Sequence, residues 1–178
     1  KDLIAAEHAK PGEIVFSSSG GFLHFATALF TSMSKEKFTI ALYKGGYPAM
    51  MDVIAGQTHA GFQAGPAALP MVKAGKLNML GFGSLQRVPQ LADVPTIAET
   101  VPGYDAGVSF GLFAPTGTPP DIVARINADV RKVIDDPEFR TKFLEPQVVQ
   151  PLPGTLDAFG GYLRDEAAKW SKVFGEAK

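Results

Sequence analysis

Two glycine-rich turns carry the strongest chemical signal in the sequence. Ser18-Ser19-Gly20-Gly21 follows an apolar run and precedes a helical pattern, and Lys44-Gly45-Gly46 does the same. Backbone N–H groups at a helix start lack intrahelical partners, and the helix dipole adds partial positive charge there. Such a turn suits an anion. Ser18 and Ser19 bring two hydroxyls, Gly20 and Gly21 bring two unhindered amides, and Lys44 adds a cation. Glycine permits close approach of a ligand oxygen to the backbone. Either turn alone reads better as a plain tight turn. Two of them at the carboxyl ends of parallel strands would share one rim, where open α/β sheets bind ligands.

Other residues join this rim by position. His24, at the start of the first of these helices, could orient a carboxylate, but a histidine packed on a helix face is the heavier reading. Tyr43 ends the strand before the second turn, where it either donates its hydroxyl or walls a cleft. Gln63 and Gly65 close a third strand and face the same edge. Phe110 and Trp170 read as core residues.

Signals for enzyme chemistry are weak. His8, His24 and His59 lack metal-ligand spacing and the chain has no cysteine, so neither a metal, nor a thiolate, nor any other cofactor is expected. A phosphate-binding Gly-x-x-x-x-Gly-Lys-Ser/Thr loop and a Gly-x-Ser-x-Gly elbow are both absent. Gly81-x-Gly83 is followed by Gln86 where a dinucleotide fingerprint needs glycine. An α/β enzyme acting on a small acid remains the alternative, with His24 and Lys44 as its only titratable candidates. A ligand-sensing receptor module is the third reading.

These residues need a scaffold, and the composition supplies one. The 178 residues are 46% hydrophobic and 20% charged with net charge −1. That permits a buried core and gives no electrostatic reason to expect nucleic acid or an anionic membrane as partner. No apolar run approaches the roughly 20 residues that span a bilayer. A signal segment is expected to be absent or removed.

Strands are expected at 13–18, 38–43, 60–64 and 76–83, alternating with helices at 22–33, 48–54 and 67–73. That alternation predicts βαβ units and a parallel sheet flanked by helices. In the helix from Phe22, the stripe Phe22, Phe25, Leu29 and Met33 should face the core. A proline-rich loop follows Arg87, and a further strand is expected over 108–114. Thr118 and Pro119 predict a helix start, with Ile122, Ile126, Val130 and Val133 as the buried stripe. Asp136-Pro137 starts a helix over 138–144, a short strand is expected at 148–149, and Gly154-Thr155 caps a last helix.

Taken in order, several segments resemble the tripartite tricarboxylate transporter receptor family, also called Bug or TctC. They are Tyr43-Lys44-Gly45-Gly46-x-Pro48-Ala49, Ala68-Leu69-Pro70, Lys73-Ala74-Gly75-Lys76-Leu77, Arg87 with Asp93-Val94-Pro95-Thr96-Ile97-Ala98-Glu99, and Gly111-Leu112-Phe113-Ala114-Pro115-x-Gly117-Thr118-Pro119. The resemblance implies a periplasmic-binding-protein-like fold of two α/β lobes, in an amino-terminally truncated form. Residues 1–104 would be a near-complete ligand-binding second lobe, and 105–178 the returning part of the first. It implies a periplasmic solute-binding protein, not an enzyme, that captures a small organic acid for membrane transporter subunits. Carried over by position, the ligand site would comprise Ser18, Ser19, Gly20, Gly21 and the segment Tyr43 to Ala49, including Pro48, with Gln63 and Gly65 beside them. A chain with an open sheet edge is also a candidate homodimer.

Overall fold

Short apolar runs that alternate with glycine turns and amphipathic segments give a parallel sheet with helical crossovers. The computed structural model describes residues 1–152 and 154–176. Its elements are α1 (Asp2–Ala9), β1 (Val15–Ser19), α2 (Phe22–Ser34), β2 (Thr39–Tyr43), α3 (Gly46–Ile54), β3 (Ala60–Gly61), α4 (Gly65–Lys73), α5 (Pro120–Ile134), α6 (Pro137–Phe139) and α7 (Leu156–Glu176). The chain separates into two units, Lys1–Val108 and Ser109–Lys178.

In the first unit the sheet order is β2-β1-β3. Both pairings are parallel, with Ser19 opposite Tyr43 and Ser17 opposite Gly61. The central strand carries three buried serines, Ser17, Ser18 and Ser19. Ser17 donates its hydroxyl to the Ala60 carbonyl at 3.3 Å. β3 runs so close to β1 that a methyl group on Gly61 would stand 2.8 Å from the Ser17 carbonyl oxygen. Only glycine fits there without a shift of the strands.

Aromatic rings build the core. Phe16 lies 5.0 Å from Phe38, 5.7 Å from Phe30 and 6.1 Å from Phe62, centroid to centroid. Tyr104 is fully buried, 6.0 Å from both Phe30 and Phe62, and donates its hydroxyl to the Ala26 carbonyl at 3.0 Å. Burial holds its phenol far above the ordinary tyrosine range. The buried face of α2 is Ala26, Thr27, Leu29 and Phe30. The expected stripe is therefore rotated: Phe25 is exposed, because small Ala26 takes the position that meets the sheet.

Three expected strands do not form. Over 76–83 only a single parallel bridge, Phe82 to Thr96, is made. The segment 108–114 has no ladder partner among the described residues, and Phe110, expected in the core, is exposed. Val148 instead follows a 3-10 turn in a left-handed conformation, φ 59°. The strand expected over 60–64 shortens to two residues. In each case an apolar run met too little neighbouring backbone, and a strand exists only where a ladder satisfies its N–H and C=O groups.

The loop after Leu85 is pinned by one ion pair. Arg87 Nε and Nη2 donate to the two Glu99 carboxylate oxygens at 2.8 and 2.7 Å. Glu99 also accepts from the Thr96 N–H at 2.9 Å. The Arg87 hydrogen bonds, then the Thr96 N–H, hold the Glu99 carboxyl down to about 2. A depressed folded value means the pair stabilises the fold above the ordinary value of 4.5 and is lost as pH falls toward about 2. Urea unfolding across that window should show the native chain losing stability relative to Glu99→Gln. Parallel pH profiles of the two would count against this role.

In the second unit the helix ends follow local chemistry. Asp136 accepts from the Phe139 N–H at 2.7 Å and Thr155 from the Ala158 N–H at 3.1 Å. α5 starts one residue later than expected, at Pro120, and Thr118 donates its hydroxyl to the Pro115 carbonyl at 2.8 Å instead of capping the helix. Residues 140–144 form a π-helical turn. Trp170 is half-buried and donates to Glu166 at 3.0 Å. None of the described residues of this unit is fully buried. Ile122, Ile126 and Val133, expected on a buried stripe, are exposed. No helix among the described residues is long and apolar enough to cross a membrane.

Candidate functional site

The parallel register brings the glycine turns together. Because Ser19 pairs with Tyr43, the chain leaves β1 through Gly20-Gly21 and β2 through Lys44-Gly45 at the same end of the sheet. β3 leaves at that end too, and α2, α3 and α4 begin there after Gly21, Gly45 and Ala64. None of these three helices has a side-chain cap. Gly46 marks where the turns meet: a methyl group there would stand 3.2 Å from Gln63 Oε1 and 3.3 Å from Leu23 Cδ1. The first turn of α2 and the Phe62–Ala64 segment thus both border Gly46.

The side chains divide into those facing outward and those engaged inward. Gly20, Gly21, Lys44 and Pro48 are exposed, while His24, Gly45, Gly46 and Gly65 are half-buried. Ser18 is buried, and its hydroxyl lies 3.4 Å from His24 Nδ1 and 3.5 Å from the Thr27 hydroxyl. Ser19 is also largely covered, and Ala49 packs into the core at 1% exposure. Ala49 is therefore a structural neighbour of the turn and offers a ligand no surface.

Tyr43 and Gln63, expected to reach a ligand, spend donors on the protein. The Tyr43 hydroxyl donates to Asp52 Oδ2 at 2.6 Å, and this bond holds the phenol above the ordinary tyrosine range. Gln63 Nε2 donates to the Gly46 carbonyl at 2.9 Å. Sequence reading missed Asp52 and Leu23. The signal for Asp52 was faint: a tyrosine at a strand end with a carboxylate nine residues on, in the helix that folds back over that strand.

The rim therefore combines backbone at uncapped helix starts with one exposed lysine and the Ser18–His24 pair. A sequence model described as the tripartite tricarboxylate transporter family receptor matches residues 1–178. The chain belongs to this receptor family. Among relatives of this receptor chain, the protein BugT of Bordetella pertussis is 31% identical over 98% of this chain and 54% of its own length. The chain thus spans about half the length of that curated relative. The solved structure of R. palustris Rpa4515 with adipate is 32% identical, with TM-score 0.89 over 97% of this chain and 58% of that one. MatC (Rpa3494) from Rhodopseudomonas palustris with bound malate is 25% identical, with TM-score 0.81 over 97% and 60% of the two chains. The α/β architecture with a parallel sheet and flanking helices is thus shared with these two solved structures.

Proposed function

We propose that this receptor-family chain is part of a periplasmic solute-binding protein that holds a small organic acid for membrane transporter subunits without reacting with it. The observation that carries the reading is the tie at Gly46, whose carbonyl accepts from Gln63 Nε2 at 2.9 Å and which leaves no room for a side chain beside Gln63 and Leu23 of the α2 start. Uncharged donors from neighbouring helix starts then surround one anion, with the dipoles of those helices adding to the attraction. Adipate and malate, bound by two relatives, are both dicarboxylates, and a carboxylate is the group such a rim suits.

Residues 1–104 would form the ligand-binding lobe and 105–178 the returning part of another. The absence of fully buried positions among the described residues after Val108 supports a surface meant to be covered. In longer relatives, sequence beyond this chain would cover it, and in the isolated chain a second copy would.

Native mass spectrometry of the purified chain should report a dimer carrying a small acid. Calorimetric titration with adipate and malate should show binding that Ser19→Ala weakens about tenfold, the loss of one hydrogen bond to a charged group. Equal affinity in Ser19→Ala, or no heat with either acid in the native chain, would overturn the reading.

A further inference from the structure

We infer that Asp52 and Gln63 are positioning residues that hold the Tyr43–Gly46 turn in its receiving geometry before any ligand arrives. The inference rests on the acid-binding reading above and deepens it. The turn is tied at both ends. At its first residue, the single Tyr43 proton is committed to Asp52 Oδ2 at 2.6 Å, which joins the end of β2 to the body of α3. At its last residue, the Gly46 carbonyl accepts from Gln63 Nε2 at 2.9 Å, which joins the start of α3 to the segment after β3. Between the ties, Gly45 is extended at φ −172° and no side chain caps α3.

A chain segment carrying two glycines has much freedom to lose on binding. Two ties remove that freedom in advance, and preordered groups bind more tightly because less ordering remains to be done. The tie to Asp52 is the stronger, since a hydrogen bond to an ionised carboxylate is short and about twice as strong as a neutral one. It also assigns the roles differently from the residue types alone. Tyr43 and Gln63 set the shape, and the grip on the acid comes from main-chain amides together with the Ser19 hydroxyl.

The test compares the native chain with Asp52→Ala, Asp52→Asn and Gln63→Ala. Hydrogen exchange at the Gly45 and Gly46 amides, without ligand, reads the order of the turn. Ultraviolet titration of the phenol reads the Tyr43–Asp52 bond, and calorimetry with adipate reads the consequence. Asp52→Ala and Gln63→Ala should speed exchange at both glycines and weaken adipate about tenfold, while Asp52→Asn, which keeps an acceptor, restores most of both. The Tyr43 phenol should titrate lower in both Asp52 variants. Unchanged exchange and affinity in Asp52→Ala would overturn the inference, as would a loss that Asp52→Asn does not repair. Faster exchange in a native background that binds neither adipate nor malate would uphold the ties and overturn the acid reading instead.

Discussion

Replacing Tyr104 with alanine is expected to cost about 4 kcal/mol of stability, the range for deleting a buried aromatic ring. Tyr104 has no exposed surface and closes the aromatic cluster from the end of the first unit, reaching back to α2 and the segment after β3. Its ring touches Phe30 edge-on and stacks over Phe62. The cavity left by alanine would be lined by these rings, which are already fixed by Phe16 and Phe38 and have little room to collapse. Tyr104→Phe separates the hydroxyl from the ring. It loses only the bond to the Ala26 carbonyl and should cost about 1 kcal/mol. Urea unfolding of both variants checks the ordering. A Tyr104→Ala loss no larger than that of Tyr104→Phe would show that the ring is not a core element.

Glu7→Ala should cost about 3 kcal/mol, because it strips the acceptors from two backbone donors. Glu7 is fully buried. One carboxylate oxygen accepts from the Gly12 N–H at 2.5 Å and the other from the Ile14 N–H at 3.0 Å. This single side chain thus organises the turn between α1 and β1 and sets the point at which the central strand begins. Glu7→Gln keeps one acceptor and turns an N–H₂ group toward the second donor, so it should fall between the native chain and Glu7→Ala. Thermal and urea unfolding give the comparison. A Glu7→Gln variant as stable as the native chain would mean that one of the two bonds contributes nothing.

Much of the first unit was legible because its signals are local. Apolar runs bounded by glycine turns located β1, β2 and the helices between them, and strand-helix alternation sufficed to expect both turns on one edge. What could not be read depends on distance partners. The runs at 76–83 and 108–114 have the same apolar character as β2, yet lack a neighbour with free backbone. In α2 the segment Phe22 to Phe30 is apolar nearly all round, so periodicity could not choose between Phe25 and Ala26 as the inward position. The commitments of Tyr43 and Gln63 were equally hidden, since residue type names a donor but not the acceptor that packing delivers.

The uneven burial of the two units has a thermal consequence. The heat-capacity increment of unfolding comes from apolar surface newly exposed to water. Every fully buried apolar side chain among the described residues lies at or before Ala106, so the first unit supplies the larger increment per residue. The stability of that unit therefore curves more steeply with temperature, and weakens more on strong cooling, than that of the second.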